Sequence, residues 1–381
     1  MEVKRKLSEF LKRETVLTVA ILLAIVSAVM IPPDREYAGY IDFRTLSILF
    51  CLMTVMAGLQ KLGVFRNIAK TLLRHTQNTI QLAEVLVLLC FIFSMIITND
   101  VSLITFVPFT FIVLRLTGEE AVKKLAVPVI VLQTVAANLG SMLTPIGNPQ
   151  NLYLYGKTQM SAGTFILLML PYSLVSLLLL VICGVIVAKR SRIEVRGAEV
   201  LLTEDEKLEQ KKYLLPAYLL LFVLCLLTVA HLIPYPVTLV TVALAVLLLD
   251  RGTIIKVDYS LLLTFVGFFI FIGNMGRMPA FCDFLQKIIG GREVMTAVIA
   301  SQVISNVPAA LLLSGFTENI TALIIGTNLG GLGTLIASMA SLISYKQVAR
   351  QIPGEKKKYF GWFTIANIVF LMILVLENCL L

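Results

Sequence analysis

The chain has 381 residues, of which 58% are hydrophobic and 14% are charged. Soluble globular proteins carry about 25% charged residues, so the composition excludes that class and predicts an all-α polytopic membrane protein. The net charge of +9 could indicate a nucleic-acid partner. The Lys and Arg lie between apolar runs, however, which is typical of cytoplasmic loops, so we expect membrane lipid and no nucleic acid as partners.

The first element is an apolar helix that follows a basic N-terminus. It lacks a small-x-small cleavage site, so we interpret it as an uncleaved first crossing. The six cysteines form no CxxC pair, so the sequence indicates neither a disulfide framework nor a zinc site. We therefore expect no bound cofactor.

Nine apolar runs could cross a bilayer fully, which takes about 20 apolar residues. Two further runs, 82–116 and 295–316, contain the polar breaks "ITNDV" and "ISNVP". Each of these two could be a pair of crossings or a hairpin that enters and leaves on one face. The nine runs are 16–31, 44–59, 125–154, 165–188, 213–232, 237–249, 261–275, 322–344 and 360–379.

Charge bias favours two re-entrant hairpins and about nine full crossings. With the N-terminus in the cytoplasm, this count places most basic loops inside, as the positive-inside rule requires, and it places the C-terminus outside. The segment 277–292 is the exception. Residues 66–78 are too polar to span and predict a surface helix. We expect an integral protein of a prokaryotic plasma (inner) membrane.

Three sequence blocks occur in the same order in both halves of the chain. Residues 41–65 match 257–281, "SMIITNDVSLITFVPF" matches "SQVISNVPAALLLSGF", and "NLGSMLTPIGNPQNLYLY" matches "NLGGLGTLIASMASLISY". Matched Asn and Gly carry the most weight because polar or helix-breaking residues are costly inside a membrane.

The matched blocks predict two inverted-topology repeats, each with a re-entrant hairpin and a discontinuous helix. The helix at 213–232 has no counterpart in the first half, so an odd number of crossings separates matching positions, which is a pattern typical of secondary transporters. The first repeat is 1–188, with hairpin 82–116 and broken helix 125–154. A basic linker and connecting helix occupy 189–232, and the second repeat is 233–381, with hairpin 295–316 and broken helix 322–344.

Each half carries a polar hairpin tip, at 98–100 and 305–307, and an interrupted helix, at 138–148 and 328–338. Unpaired backbone groups cost several kcal/mol in hydrocarbon, so such breaks indicate a binding cavity, although a single break could be an ordinary kink. Half-helix N-termini suit anions or polar solutes, and carbonyl or Asn oxygens suit Na⁺. Glycines such as Gly140, Gly147 and Gly330 allow close backbone approach.

Asp100 is the only carboxylate well inside a polar break of the sequence. An ionisable residue there is a functional candidate, because it could coordinate Na⁺ or carry a proton. It could also cap the second helix of its hairpin, and both roles are compatible. Its counterpart in the second half is Val307, so a charge-carrying role belongs to the first half. Asp42 and Asp258, by contrast, are expected to be helix N-caps.

The breaks resemble those of the ion transporter superfamily, which holds arsenite permeases, D-type sodium/proton antiporters, citrate permeases and divalent-anion/sodium symporters. "TNDVSLITFVPF" resembles the Asn-Asp hairpin of arsenite permeases, and "NLGSMLTPIGNPQN" resembles the NxGG-x-x-TPIGNPxN motif. "SQVISNVPAALLLSG" resembles the second hairpin with Ser305 in place of Asn. "NLGGLGTLIASMASL" has Leu335 and Ala337 where the family pattern has Pro and Gly, which puts the second subsite in doubt.

The resemblance implies a homodimer in which a transport domain moves as an elevator against a scaffold. It also implies a substrate and ion site built from both hairpins and both broken helices, with Na⁺ possible at Asn99, Asp100, Asn138, Asn306 and Asn328. The predicted site residues are Thr98, Asn99, Asp100, Asn138, Gly140, Thr144, Gly147, Asn148, Ser305, Asn306, Asn328, Gly330, Thr334 and Ser338.

These features predict a cation-coupled secondary transporter, driven by Na⁺ or H⁺, of a small anion or oxyanion. The alternative is an arsenite or metalloid exporter or a sodium/proton antiporter, which an Asp in the first hairpin favours. A carbonyl-lined channel is a further alternative. An enzyme is not expected, because an intramembrane protease needs paired catalytic groups and Asp100 stands alone. No Arg or Lys lies in any break.

Overall fold

The computed structural model describes residues 14–73, 76–191 and 213–381. Within these ranges the chain is helical and contains no β-strand, which confirms the predicted all-α class. Most of the predicted basic linker, from residue 192 to 212, lies outside the described residues. The division into 1–188, 189–232 and 233–381 stays a prediction.

The helices of the first half follow one another with short connections. The side chain of Asp42 accepts a hydrogen bond from the Thr45 N–H at 2.9 Å, so Asp42 is an N-cap as predicted. The helices are α1 (Thr15–Met30), α2 (Tyr37–Tyr40), α3 (Phe43–Lys61), α4 (Val64–Leu73), α5 (Thr79–Ile97), α6 (Asn99–Thr117), α7 (Glu119–Ser141), α8 (Pro149–Gly156) and α9 (Ala162–Ser191).

The second half has a similar order of helices after one connecting helix, α10 (Leu215–Val229). Asp258 accepts a hydrogen bond from the Leu261 N–H at 3.0 Å, which confirms the second predicted N-cap. The helices are α10 (Leu215–Val229), α11 (Tyr235–Leu249), α12 (Arg251–Ile254), α13 (Tyr259–Gly276), α14 (Pro279–Ile289), α15 (Glu293–Ile304), α16 (Asn306–Leu313), α17 (Ile320–Leu329), α18 (Met339–Gln351) and α19 (Lys356–Leu380).

Seven helices of the described chain are long and apolar enough to cross a membrane. They are α3, α5, α6, α7, α9, α13 and the C-terminal helix α19, and shorter apolar helices include α1, α10, α11, α15 and α17. This pattern fits a polytopic membrane protein. Both arms of the first predicted hairpin are among the seven, so helix length does not decide between a hairpin and two crossings, and the count of nine stays a prediction.

Helices α5 and α6 run antiparallel from Thr98, where they meet. The Ser102 hydroxyl of α6 donates to the Cys90 carbonyl of α5 at 3.2 Å. Gln133 of α7 donates to the Leu86 carbonyl at 2.9 Å and to the Thr110 hydroxyl at 2.8 Å. Leu86 and Thr110 are equally distant from Thr98 in sequence, so the two arms lie side by side along their length.

The two interruptions begin later than the sequence predicts. Helix α7 continues to Ser141 and α17 continues to Leu329, so Asn138 and Asn328 lie in final helical turns instead of unwound segments. Helical backbone satisfies its own N–H and C=O groups, so at these positions side chains, and not free backbone, present the polar atoms.

The predicted surface helix at 66–78 corresponds to α4. Phe65, Ala69 and Leu73 are its buried residues, and their four-residue spacing gives the helix one apolar face. Arg74 and His75, within the predicted span, lie outside the described residues. The amphipathic face agrees with a helix that lies on the body of the protein.

Lys61 and Arg277 form ion pairs that join the halves within the described residues, and Arg277 contacts both Asp34 and Glu36. Lys61, which ends α3, contacts Asp250 at 2.6 Å, and Arg277, which follows α13, contacts Asp34 at 2.7 Å. Asp34 precedes the N-cap Asp42 by the same number of residues as Asp250 precedes the N-cap Asp258. Each half therefore supplies an Asp to the basic residue at the corresponding helix end of the other half.

Candidate functional site

Four helices of the described chain begin at one small buried cavity. They are α6 and α16, which follow the hairpin tips, and α8 and α18, which follow the helix interruptions. The cavity measures about 10 Å³, which is about enough for one water-sized species. Its lining residues are Asn99, Asp100, Pro149, Gln150, Leu261, Asn306, Val307, Ser338 and Met339.

The first hairpin tip is held by backbone and amide hydrogen bonds. Thr98 has φ 74° and ψ 153°, a conformation almost restricted to Gly. The Asn99 N–H donates to the Gly147 carbonyl at 3.2 Å, and the Asn99 amide donates to Asn138 Oδ1 at 3.2 Å. The Asp100 N–H donates to Asn99 Oδ1 at 3.0 Å. Asn99 thus connects the tip to both sides of the first helix interruption.

The second hairpin tip has the same construction. Ser305 has φ 73° and ψ 154°, and the Asn306 N–H donates to the Ala337 carbonyl at 2.9 Å. The Val307 N–H donates to Asn306 Oδ1 at 2.9 Å. Since Ala337 corresponds to Gly147 in the sequence match, both tips bind equivalent carbonyls.

The two broken helices bind each other through exchanged side-chain contacts. Asn138 Oδ1 accepts from the Ser338 hydroxyl at 2.9 Å, and its amide donates to the Ser341 hydroxyl at 3.4 Å. In the opposite direction, Asn328 Oδ1 accepts from Asn148 at 3.1 Å, and its amide donates to Asn151 Oδ1 at 2.6 Å. Each half-helix end therefore contacts the start of the second half-helix from the other half. All six side chains are buried.

Asp100 is the acidic group of this centre. Its Oδ1 is buried and has no hydrogen-bond partner within the described part of the chain. Thr98 occupies the N-cap of α6, without a side-chain cap bond, and Asp100 lies in the first turn, so Asp100 is not the cap. Asp100 also lines a second cavity of about 190 Å³ with Lys256 and Asp258. Lys256 thus provides a cation beside the centre that the sequence motifs did not indicate.

The electrostatics of the centre favour negative or strongly polar ligands. A helix N-terminus carries roughly half a positive charge, and four of them point to one cavity beside a single carboxylate. Among the five residues predicted to bind Na⁺, Asn99, Asp100 and Asn306 reach the cavity. Asn138 and Asn328 do not line it, and their Oδ1 atoms already accept hydrogen bonds. Side chains within the described ranges form no cluster of three or more His, Cys, Asp or Glu.

Four of the predicted site residues lie beside the cavity and join each interruption to its own hairpin. The Thr144 hydroxyl donates to the Met95 carbonyl, and the Thr334 hydroxyl donates to the Gln302 carbonyl at 3.0 Å. A Cβ on Gly140 would lie 2.4 Å from the Ser94 hydroxyl oxygen, and one on Gly330 would lie 2.6 Å from that of Ser301. These four residues therefore position the breaks and do not line the cavity.

The predicted site residues included neither Gln150 nor Asn151, although Asn151 is the last Asn of the NPxN part of the quoted motif. Gln150 is 1% exposed, lines the cavity, and has no hydrogen-bond partner for either side-chain atom among the described residues. Asn151 donates to the carbonyls of Ser141, Met142 and Thr144. Both lie in the "NPQN" segment, where two amides directly after a predicted break are the signal that could have identified them.

Leu261 borders the centre and two larger spaces. It lines the central cavity, the Asp100–Lys256 cavity and a third cavity of about 340 Å³ beside α1 and α18. It follows the N-cap Asp258 at the start of α13. The start of α13 is therefore a wall common to all three spaces.

Comparison with known proteins identifies a transporter family and several related transporters. The profile of a family described as "Citrate transporter" matches residues 7–320. An uncharacterized transporter of Methanocaldococcus jannaschii is 30% identical over 361 residues, which is 94% of both chains. The inner membrane protein YbiR of Escherichia coli is 32% identical over 335 residues, 86% of both chains. A silicon efflux transporter of Oryza sativa subsp. japonica is 32% identical over 157 residues, 40% of this chain and 31% of that protein.

Proposed function

The chain belongs to the citrate transporter family, within the ion transporter superfamily that its motifs indicate, and we propose that it is a secondary active transporter, driven by Na⁺ or H⁺, of a small anion or oxyanion. The observation that carries this proposal is the convergence of four helix N-termini on one buried cavity beside Asp100. Helix N-termini bind anions through free N–H groups and the helix dipole. Family membership indicates transport and gives no reason to expect catalysis.

The repeats are proposed to be inverted. The two tips have the same backbone conformation, and each donates to the equivalent carbonyl of its own half. The asparagine at the end of each broken helix's first segment contacts the second segment of the other broken helix. The ion pairs Asp34–Arg277 and Lys61–Asp250 are likewise exchanged between the halves, since each joins an Asp of one half to a basic residue of the other. In an inverted pair of repeats the two ion pairs lie on opposite membrane faces, with the N-terminus in the cytoplasm and the C-terminus outside.

The hairpins are proposed to be re-entrant. The tip of the first hairpin meets Asn138 and Gly147, whereas the broken helix continues through α8 to Gly156. The eight residues of α8 add about 12 Å beyond the tip at 1.5 Å per residue. A hairpin that ends beside an interruption, with further helix beyond it, fits a tip within the membrane.

Asp100 is the proposed carrier of the coupling charge. A carboxylate that has no partner at the bilayer midplane is costly, so a bound Na⁺ or a proton would offset its charge. The negative charge of a substrate bound at the four N-termini and the positive charge of a cation bound to Asp100 would neutralise each other. Alternating access is proposed to follow an elevator movement of the hairpins and broken helices in a homodimer.

The second candidate is a metalloid exporter or a sodium/proton antiporter. It is favoured by the carboxylate in the cavity and by the neutral amides of Asn99, Asn306 and Gln150, which can bind a hydroxylated neutral solute. One relative, over part of its length, is named a silicon efflux transporter. This candidate uses the same centre with a different cargo.

Reconstituted transport tests the proposal. Purified protein in proteoliposomes is given labelled di- and tricarboxylates and oxyanions, with and without Na⁺ and pH gradients, and arsenite and silicic acid in parallel. We expect gradient-driven uptake that Asn99→Ala and Asn138→Ala abolish, while both variants stay folded and monodisperse. Wild-type uptake by either variant would contradict the site, and gradient-driven flux of a metalloid alone would select the second candidate.

A further inference from the structure

A groove on the molecule is formed by α7, α9 and α19 and shares no lining residue with the central cavity. It measures about 310 Å³. Most of its lining is apolar, from residues such as Val131, Ile186 and Ile365. The side chains of Ile186 and Ile365 are 47% and 64% exposed, so this face is open and apolar.

The groove has one polar end. Lys124 lies near the start of α7, Arg190 near the end of α9, and Trp362 near the start of α19. From these residues the lining continues along the three helices to Leu132, Cys183 and Phe370. The depth is therefore roughly 12 Å at 1.5 Å per residue, with cationic groups at the mouth and hydrocarbon walls below.

The polar end fits the boundary between lipid headgroups and acyl chains. Trp is enriched at that depth, and Lys358 lies one helical turn from Trp362. Lys124 is 44% exposed and contacts Glu120 at 2.6 Å, and Glu355 contacts Lys358 at 3.0 Å. Arg190 is exposed. Among the described residues at this end, Lys124, Arg190 and Lys358 outnumber Glu120 and Glu355, so the described part of the mouth carries a positive excess.

We propose that this groove binds one anionic phospholipid, with its phosphate between Lys124 and Arg190 and an acyl chain along the apolar walls. Basic pockets between membrane helices on the cytoplasmic side bind anionic headgroups, and the positive excess at the mouth complements such a headgroup. The phosphate competes with Glu120 for Lys124. The proposal does not depend on the transported cargo.

Trp362 is the single Trp of the sequence and therefore reports on the groove directly. Bromine atoms on a lipid acyl chain quench Trp fluorescence on contact. The protein is reconstituted into phosphatidylcholine vesicles that contain increasing fractions of brominated phosphatidylglycerol, or of brominated phosphatidylcholine as the comparison. We expect half-maximal quenching at about a 10- to 30-fold lower fraction of the anionic lipid, because two cationic contacts distinguish the headgroups.

Four variants separate a groove from diffuse surface charge. Lys124→Gln with Arg190→Gln removes the preference for the anionic lipid. Lys356→Gln with Lys357→Gln removes two charges from exposed residues at the start of the same helix α19 that do not line the groove, and keeps the preference. Ala366→Phe fills the groove and lowers quenching by both lipids. Glu120→Gln strengthens the preference because it frees Lys124.

The proposal is overturned by any of three results. Equal quenching of the wild-type protein by both brominated lipids would mean that the headgroup is not recognised. Absence of quenching by either lipid would mean that another surface, such as a second copy of the chain, covers the groove. An equal loss of preference in the Lys356/Lys357 variant would assign the effect to general surface charge. Unchanged thermal unfolding shows that each variant is folded.

Discussion

The two halves of the centre have the same backbone frame and different side chains. Thr98 and Ser305 adopt the same positive-φ conformation, with ψ near 154°, and the residue after each binds the equivalent carbonyl. In the alignment of the two halves, however, Asp100 corresponds to Val307, Gln150 to Ala340, and Asn151 to Ser341. The frame is duplicated, whereas the ionisable and amide groups are concentrated in the first half.

The ion pairs Lys61–Asp250 and Asp34–Arg277 occupy corresponding positions of the two halves but differ in how far they are exposed to solvent. The Asp250 side chain is 5% exposed and also accepts hydrogen bonds from Tyr218 and Thr253. The Asp34 and Arg277 side chains are 39% and 37% exposed. Equivalent positions therefore carry one buried and one solvated contact, and only the buried contact can contribute much to stability.

The largest expected effect comes from the charge that only the first half carries. Asp100→Asn keeps the shape of the side chain and removes its charge, so we expect complete loss of cation-driven uptake. Val307→Asn is the matched control in the second half and should retain most of the uptake. Both are measured in proteoliposomes under a Na⁺ or pH gradient. Gradient-driven uptake by Asp100→Asn would show that the charge is not the coupling group.

The second effect concerns the buried ion pair. Lys61→Met removes the cation that contacts the buried Asp250 at 2.6 Å, and breaking a buried pair costs about 3–5 kcal/mol. Lys61 is 31% exposed, so we expect the lower part of this range, measured by denaturant or thermal unfolding in detergent. Arg277→Met breaks the equivalent exposed pair and should unfold close to the wild type. Equal losses in the two variants would remove the distinction between the pairs.

The third effect separates binding from stability at Gln150. Its amide is buried without a partner among the described residues, and such a group costs about 1–3 kcal/mol. Gln150→Leu should therefore raise stability by about 1 kcal/mol and weaken cargo binding by about tenfold. Asn151→Leu, which loses several hydrogen bonds, should lower stability instead. Thermal unfolding with and without cargo measures both changes, and unaltered cargo affinity in Gln150→Leu would exclude it from the site.

The smallest effect is a pH dependence of the exposed pair. A hydrogen bond from Arg277 lowers the pKa of Asp34 below its ordinary value of 3.8. A lowered pKa stabilises the folded state above the unfolded value, and this contribution is lost as the pH falls through the folded value. The small stability difference between wild type and Arg277→Gln should therefore be present at neutral pH and should be lost as the pH falls below 3.8 and through the lowered pKa of Asp34. A difference that grows on acidification would contradict the assignment.

Local chemistry explains what the sequence predicted well. Asn and Gly within apolar runs identified the tips near Thr98 and Ser305, since such residues are costly in a membrane. The Asp residues before α3 and α13 identified both N-caps. The family resemblance is confirmed by the match to residues 7–320. Each of these features depends on neighbouring residues in the chain, so a linear pattern contains it.

Contacts between distant segments explain what the sequence did not predict. Asn138 and Asn328 belong to recognisable motifs, yet no motif states that each bonds to the opposite broken helix. Lys61 and Arg277 align between the halves, but their partners Asp250 and Asp34 do not follow from that alignment alone. Lys256, which precedes α13, lines the cavity of Asp100 although the two residues lie far apart in the chain. These relations require tertiary placement.

Leu261 borders the central cavity and both larger spaces with one isobutyl group. Asp100 and Pro149 border the central cavity and the Asp100–Lys256 cavity, and Val307 and Met339 border the central cavity and the cavity beside α1 and α18. A change in side-chain volume at Leu261 would therefore reshape all three spaces together, whereas the same change at Val307 or Pro149 would reshape two of them.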